Sequence, residues 1–401
     1  MVNVTIEPHV EVYDVPATVS TTYGVAGKVA VIGAFPSATF SIGVFTSLES
    51  AIAEILDGTD YKDPSDVDPA HASKTDVPAT YKAYYALPYA FTSNRSNGGA
   101  ESVLIVNTQY GASSLSPTTD NTTLLAATKV LADEDFDILS VAEPIVIGVT
   151  SNDSTILNPM FSTLKTFVNT QFKDQKPFGL ITGVDMTNAT TSLMTDFKNM
   201  FNDKGIYKAV TTKVKLNGAN TSLPIEASGL WHAAYTAGKD VGYSETAKLY
   251  EGTIGENSKD VYPSSASVNY ANMREKGFHT TRFRNRRLQT VECTSGLTPA
   301  GYDMKVERVK NYIIKRLTVA NYLGLDHTRR TLEDVISLFE YEKGLAVDMG
   351  YIFDMEYDFE SVDSQTLKAQ IKLYIPEIIR VVELDVALKV TDYSEFEEGG
   401  E

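Results

Sequence analysis

The chain has 401 residues, is 43% hydrophobic and carries a formal net charge of −17. That length allows two or three domains with sizeable cores, and the acidic balance argues against general nucleic-acid binding. A single cysteine, Cys293, excludes an intrachain disulfide, no apolar run is long enough to cross a membrane, and MVNVTIEPHVEVYDVP lacks the basic start and apolar core of a secretory signal.

Residues 2–14 alternate, with Val2, Val4 and Ile6, then Val10 and Val12 after Pro8. Proline cannot donate to a ladder, so this stretch reads as an edge strand or a free arm. Residues 28–34 form a short buried strand bounded by Gly and Pro. Residues 47–56 form a helix with Leu48, Ile52 and Ile55 on one face, followed by a turn-rich acidic loop. A helix is expected up to Leu87, before Pro88. Strands at 101–108, 136–143 and 145–150 then alternate with helices around 123–134 and 162–174. A strand at 178–185 and a helix at 192–203 follow. This rhythm predicts an α/β domain with a mainly parallel, mixed sheet. A helical stretch carries Trp231. Further on, a helix stopping at Gly277 is expected to lead into one strand through Phe283 to Val291.

The C-terminal region is an α+β unit. One helix over 303–323 has Val306, Val309, Ile313, Leu317 and Ala320 as its apolar stripe, with Lys305, Arg308, Lys315 and Arg316 on a neighbouring face. A second helix is expected to end at Gly344. Two strands follow, and then a last one, in which Leu384, Val386, Leu388 and Val390 share one side. A strongly alternating strand at a chain end is free to pair with a neighbour's sheet edge. The acidic stretch 392–401 reads as frayed.

Charge is unevenly spread. Residues 274–316 hold eleven Lys/Arg against four Asp/Glu, a local +7 that leaves −24 on the remainder. An acidic body with one basic zone suggests an acidic partner facing that zone, or arginines paired with this chain's own carboxylates. Arg282, Arg284 and Arg286 would share one strand face and therefore need acidic partners, inside the chain or on another subunit.

Motifs for chemistry are missing. Gly24-Val-Ala-Gly27-Lys28 is not a phosphate loop, because Thr22 replaces the first Gly and Val29 the magnesium-binding hydroxyl. Asp57, Asp60, Asp63, Asp66 and Asp68 lack calcium-loop spacing and read as a solvated loop. The histidines 9, 71, 232, 279 and 327 are scattered without HExxH or CxxC partners. No Gly-x-Ser-x-Gly occurs. The Asn-x-Ser/Thr sequons read as composition. No catalytic residue, metal or cofactor is assigned.

The segments GYDMKVERVKNYIIKRL, TLEDVISLFEYEKGLAV and LKAQIKLYIPEIIRVVELDVAL, with the step Pro376-Glu377-Ile378-Ile379, resemble in order the C-terminal domain of contractile-tail sheath proteins. NYANMREKGFHTTRFRNRRLQTVECTS is similar to the segment that introduces that domain. GVAGKVAVIGAFP and FTSLESAIAEIL resemble the family's opening strand and first helix. The resemblance implies an N-terminal β arm at 1–22, an outer α/β domain at 23–272, an inner sheath domain at 273–377, and a C-terminal β arm and acidic tail at 378–401. It implies a non-enzymatic subunit that polymerises helically, as a stack of hexameric rings, around an inner tube protein and contracts to drive the tube through an envelope. Baseplate and tail terminator proteins are further implied partners, with neither nucleic acid nor membrane insertion. The place implied is a virion tail or related contractile particle assembled in the host cytoplasm. Lys305, Arg308, Lys315 and Arg316 would face the tube. Val2, Val4, Ile6, Val10, Val12, Leu384, Val386, Leu388 and Val390 would join subunits. The competing readings are a nucleotide-binding α/β enzyme with a C-terminal oligomerisation domain, and a nucleic-acid-binding structural protein using the basic zone.

Overall fold

The computed structural model describes residues 27–91, 100–143, 145–146, 159–173, 176–186, 189–201, 205–216, 219, 221–246, 248–250, 253, 270–284, 290–293, 298–299, 301–317, 329–361 and 367–376. Both terminal arms lie outside the described residues. Strand β1 (Lys28–Gly33) is followed by β2 (Ile42–Phe45) and α1 (Leu48–Leu56), whose cap is Ser47. Two short strands, β3 (Tyr61–Lys62) and β4 (Thr75–Asp76), bracket the acidic loop. Helices α2 (Lys82–Ala86) and α3 (Pro88–Phe91) meet at Pro88. Then come β5 (Ser102–Asn107), α4 (Asn121–Leu131), β6 (Ile138–Val141), β7 (Ile145–Val146), α5 (Pro159–Lys173), β8 (Gly179–Asp185), α6 (Thr191–Phe201), β9 (Ile206–Val210) and α7 (Ile225–Ala237).

The main sheet runs β2–β5–β1–β6–β8, with β7 and β9 both paired to β8. Every pairing is parallel except β2 with β5, so the sheet is mixed as expected. Alternation along each strand divides the core. Val29, Val31, Val103, Ile105 and Ile181 face α1, α2, α3 and α7, while Ala30, Ile32, Leu104, Val106 and Leu180 face α4, α5 and α6. Residues two apart on a strand share a face, so one short apolar run supplies both cores.

All thirteen residues of α7 are buried. The helix lies against β8 at a point where both partners are glycine. A Cβ on Gly229 would come within 2.4 Å of the Gly183 nitrogen, and one on Gly183 within 2.2 Å of the Ile225 carbonyl oxygen.

Beyond α7 lie β10 (Leu249–Tyr250), α8 (Tyr270–Glu275), β11 (Thr281–Arg284) and β12 (Thr290–Cys293). The single strand expected through Val291 is instead two antiparallel strands, with Thr281 opposite Cys293 and Arg284 opposite Thr290. Strand β10 adds to the other side of β12. Continuous β propensity cannot reveal where a strand turns back.

Helix α9 (Met304–Leu317) and helix α10 (Arg329–Asp348) pack on a hairpin of β13 (Asp354–Ser361) and β14 (Leu367–Tyr374). Val309, Ile313, Leu317, Val335, Phe339 and Met355 form this third core. Helix α10 does not stop at Gly344 but continues to Asp348. A helix tolerates one interior glycine at a cost of about 1 kcal/mol. The stop is Gly350, with φ +70. Its N–H donates to the Val347 carbonyl at 2.9 Å and the Tyr351 N–H to that of Ala346 at 2.9 Å, the paired bonds of a left-handed helix stop.

Two substitutions test these backbone contacts by urea denaturation. Gly229→Val should cost about 1–3 kcal/mol or more, because it pushes α7 off β8. Gly350→Ala should cost roughly 1–2 kcal/mol, from the left-handed backbone alone.

Candidate functional site

The basic stripe of α9 faces the amino ends of the parallel strands. Asp303 opens the helix: its carboxylate accepts from the Lys305 N–H at 2.9 Å and from the hydroxyls of Ser244 at 3.2 Å and Thr246 at 3.3 Å. Arg308 is 6% exposed, and its guanidinium donates to the carbonyls of Lys239 at 2.8 Å and Asp240 at 3.0 Å, in the turn after α7. Burial pushes this guanidinium down from the usual arginine range, against the negative groups around it. One turn on, the Asn311 amide donates to the Tyr207 hydroxyl at 2.7 Å.

Lys315 donates to Asp135 at 2.9 Å, to the Phe136 carbonyl at 2.6 Å and to Asp137 at 3.1 Å, just before β6. Burial opposes its charge, but Asp137 and Asp135 outweigh burial and raise its pKa. Arg316 donates to Glu342 of α10 at 2.8 Å. Arg308, Lys315 and Arg316 are therefore bound to this chain's own groups. Lys305 is half-buried and makes no ion pair among the described residues. A helical wheel shows that basic residues share a face; it does not show what that face meets.

Behind the seam lies a buried polar cluster. The Lys208 ammonium donates to Glu245 at 2.5 Å and to the Thr236 hydroxyl at 2.7 Å. Thr236 and Tyr250 donate to the same carboxylate at 2.7 and 2.6 Å. The Tyr250 hydroxyl lies 3.0 Å from Nε2 of His279, whose ring centroid is 4.8 Å from that of His232. Burial opposes the charge on Glu245, but Lys208 and its hydrogen bonds hold it down to about 2. Burial and the Lys208 charge push His279 down to about 3. His232 is pushed well below the usual histidine value by burial, by His279 and by Lys208.

Acid, base and hydroxyl converge here as they would in an active site. All of Lys208, Glu245, Tyr250, His279 and His232 are nevertheless no more than 1% exposed, so no substrate reaches them. Sequence reasoning passed over Lys208 and Glu245. The only signal is a lysine inside the apolar run IYKAV, where an unpaired charge is prohibitive.

The opposite end of the sheet is where a nucleotide would bind, at the β1/β6 point where strand order reverses. The end of β1 packs closely there. A Cβ on Gly33 would lie 2.5 Å from the Ala83 Cβ and 3.2 Å from that of Ala142. Glu143 sits there, 5% exposed, and burial, with Glu226 nearby, raises it to about 7 even though Lys82 pulls the other way.

The acidic loop is self-satisfied. Asp63 accepts from the Ser65 N–H at 2.7 Å and the Tyr84 hydroxyl at 2.9 Å; Asp66 accepts from the Asp68 N–H at 2.9 Å and pairs with His71. Asp68 caps the short turn 69–71. A cavity of about 720 Å³ beside the loop is lined by Ile52, Leu56, Tyr61, Tyr84 and Tyr85. Among the described residues no cluster of His, Cys, Asp or Glu could hold a metal, and no helix is long and apolar enough to cross a membrane.

No protein family model matches the chain, and no curated protein does. Solved structures do. A sheath tail protein from Listeria innocua aligns over 90% of this chain and 98% of its own, at 13% identity and a TM-score of 0.55. The chain has the fold of tail sheath proteins. A sheath tail protein from Desulfitobacterium hafniense covers 88% and 97% at 10% identity and a TM-score of 0.54. The contracted helical sheath of the anti-feeding prophage covers 91% and 94% at 11% identity and a TM-score of 0.57. The sheath fold thus spans both the α/β part and the C-terminal α+β part.

Lys208→Met strands the Glu245 carboxylate in the core and should cost about 3–5 kcal/mol in urea denaturation. The double substitution Lys208→Met, Glu245→Gln removes both charges and should recover most of that loss.

Proposed function

We propose that this chain is the structural subunit of a contractile tail sheath, polymerising helically around an inner tube and shortening to drive that tube through a target envelope. The carrying observation is the sheath fold aligned over nearly the whole of both chains. The close packing of Gly33 against Ala83 and Ala142, at the switch point where a nucleotide-binding sheet keeps space, supports a structural role over the enzyme reading.

The domain division at residues 22, 272 and 377 belongs to this proposal. So do the two arms, which would add strands to a neighbour's sheet, the backbone supplying affinity and alternate side chains the register. The hairpin of β13 and β14 is suited to receive them, since each strand has one partner among the described residues. Strand exchange tolerates rotation of the bodies at either end of a linker, so neighbours stay attached while rigid domains change their contacts.

Of the four basic residues expected at the tube, Lys305 is the one with no ion pair among the described residues. The other three would have to surrender bonds within the chain. The tube, baseplate and terminator proteins, and a place in a virion tail or related particle assembled in the host cytoplasm, are part of the same reading.

Negative-stain imaging of purified protein should show hollow striated cylinders. Deleting residues 1–14 should leave a folded, soluble monomer with an unchanged thermal transition and no cylinders. Regular cylinders from the truncated protein would rule out the arm as the joint. Unfolding would place the arm in its own subunit's core.

A further inference from the structure

The polar cluster ties three separate parts of the chain together. Lys208 belongs to β9, His232 and Thr236 to α7, and Glu245 to the segment that follows the Arg308-binding turn at Lys239 and Asp240. His279 heads the segment that becomes β11. Its N–H donates to the Ala209 carbonyl at 3.0 Å, and it bridges β9 at Val210 in parallel. The three-stranded sheet β10–β12–β11 is thus fastened to the β9 edge by the main chain of His279, which also accepts from the Thr211 hydroxyl at 3.3 Å, and to α7 through the Tyr250–His279–His232 contact.

His232 is 0% exposed, and neither of its ring nitrogens has a hydrogen-bond partner among the described residues. Trp231, His279 and Tyr250 enclose it, with ring centroids at 5.0, 4.8 and 5.1 Å. The Lys208 charge and burial disfavour a charge on either imidazole, and only His279 feels an opposing pull, from Glu245. We propose that the His232–His279 pair is an acid-sensitive latch, which releases the β10–β12–β11 sheet and the Arg308-binding turn from the β9 edge when the imidazoles are protonated.

The sign follows from linkage. Both histidines are depressed in the closed form and take up protons on opening below the ordinary value of 6.5. The open form is therefore favoured as pH falls from that value, and the closed form holds its full stability above it. Each histidine should raise the opening constant about tenfold per pH unit, and the two together about a hundredfold. The other charged or titratable groups facing the pair are Lys208 from β9, Glu245 from the turn, Tyr250 from β10 and, through Glu245, Arg308 from α9. Above pH 5, Glu245 is largely ionised in both forms, since its ordinary value is 4.5. The window from pH 6.5 to 5 therefore isolates the histidines.

Native-state hydrogen exchange of the full chain across that window tests the latch, after correction for intrinsic exchange. Peptides covering 225–237, 248–253 and 278–284 should open more readily as pH falls, approaching a hundredfold per unit, while 121–131 on the far face of the sheet should not. His232→Asn or His279→Gln should reduce the slope to about tenfold per unit, and the double variant should flatten it. Trp231, the only tryptophan in the chain, should report the same transition by fluorescence before far-UV ellipticity changes. A pH-independent opening, a slope shared with 121–131, or variants that keep the wild-type slope would each overturn the proposal. Should the variants fail to fold, the wild-type slope and its restriction to these segments decide the matter alone.

Discussion

The contact between Gly183 and Gly229 sets the position of everything around α7. Because neither residue has a side chain, the helix lies directly on β8, and its carboxyl end reaches the amino ends of the strands. There the Ala237 carbonyl accepts from the Gly27 N–H at 2.8 Å, Thr236 joins Lys208 and Glu245, and the carbonyls of Lys239 and Asp240 accept from Arg308. A helix held even one ångström farther away would miss several of these partners at once. A bundle of short bonds tolerates no such gap, since hydrogen bonds weaken steeply with distance and angle.

The seam also explains how an acidic protein uses its basic segment. Charge on a long α9 side chain could have been spent on a distant partner. It is instead placed where carbonyls and carboxylates already converge: the helix end after α7 and the short segment 135–137 before β6. Both loci carry negative potential, one from aligned peptide dipoles and one from formal charge. At the sheet's other end, where α/β proteins usually hold ligands, Gly33 packs closely against Ala83 and Ala142.

Much of the architecture was legible. Buried strands bounded by Gly and Pro, helices with clean apolar stripes and the order of two helices and a hairpin over 304–374 all follow from local patterning. The misses share one cause, which is that partners distant in sequence leave no local mark. Strand β2 is a short antiparallel edge whose alternation is diluted by Gly43, and β9 hides Lys208 inside an apolar run. The turn between β11 and β12 and the passage of α10 through Gly344 depend on packing rather than on propensity. For the site, the stripe Arg308–Lys315–Arg316 could be found on a wheel, whereas its partners at 135–137, 239–240 and 342 could not.

Arg308 grips the main chain of Lys239 and Asp240 and needs no particular side chain at either position for those two bonds. Any residue offers the same carbonyl. Substitutions can therefore accumulate along that turn over evolutionary time without loosening the grip, provided its path is kept. Contacts of this kind are inherited as shape rather than as letters. A fold held by contacts of this kind is read by superposition even where identity is only 10–13%.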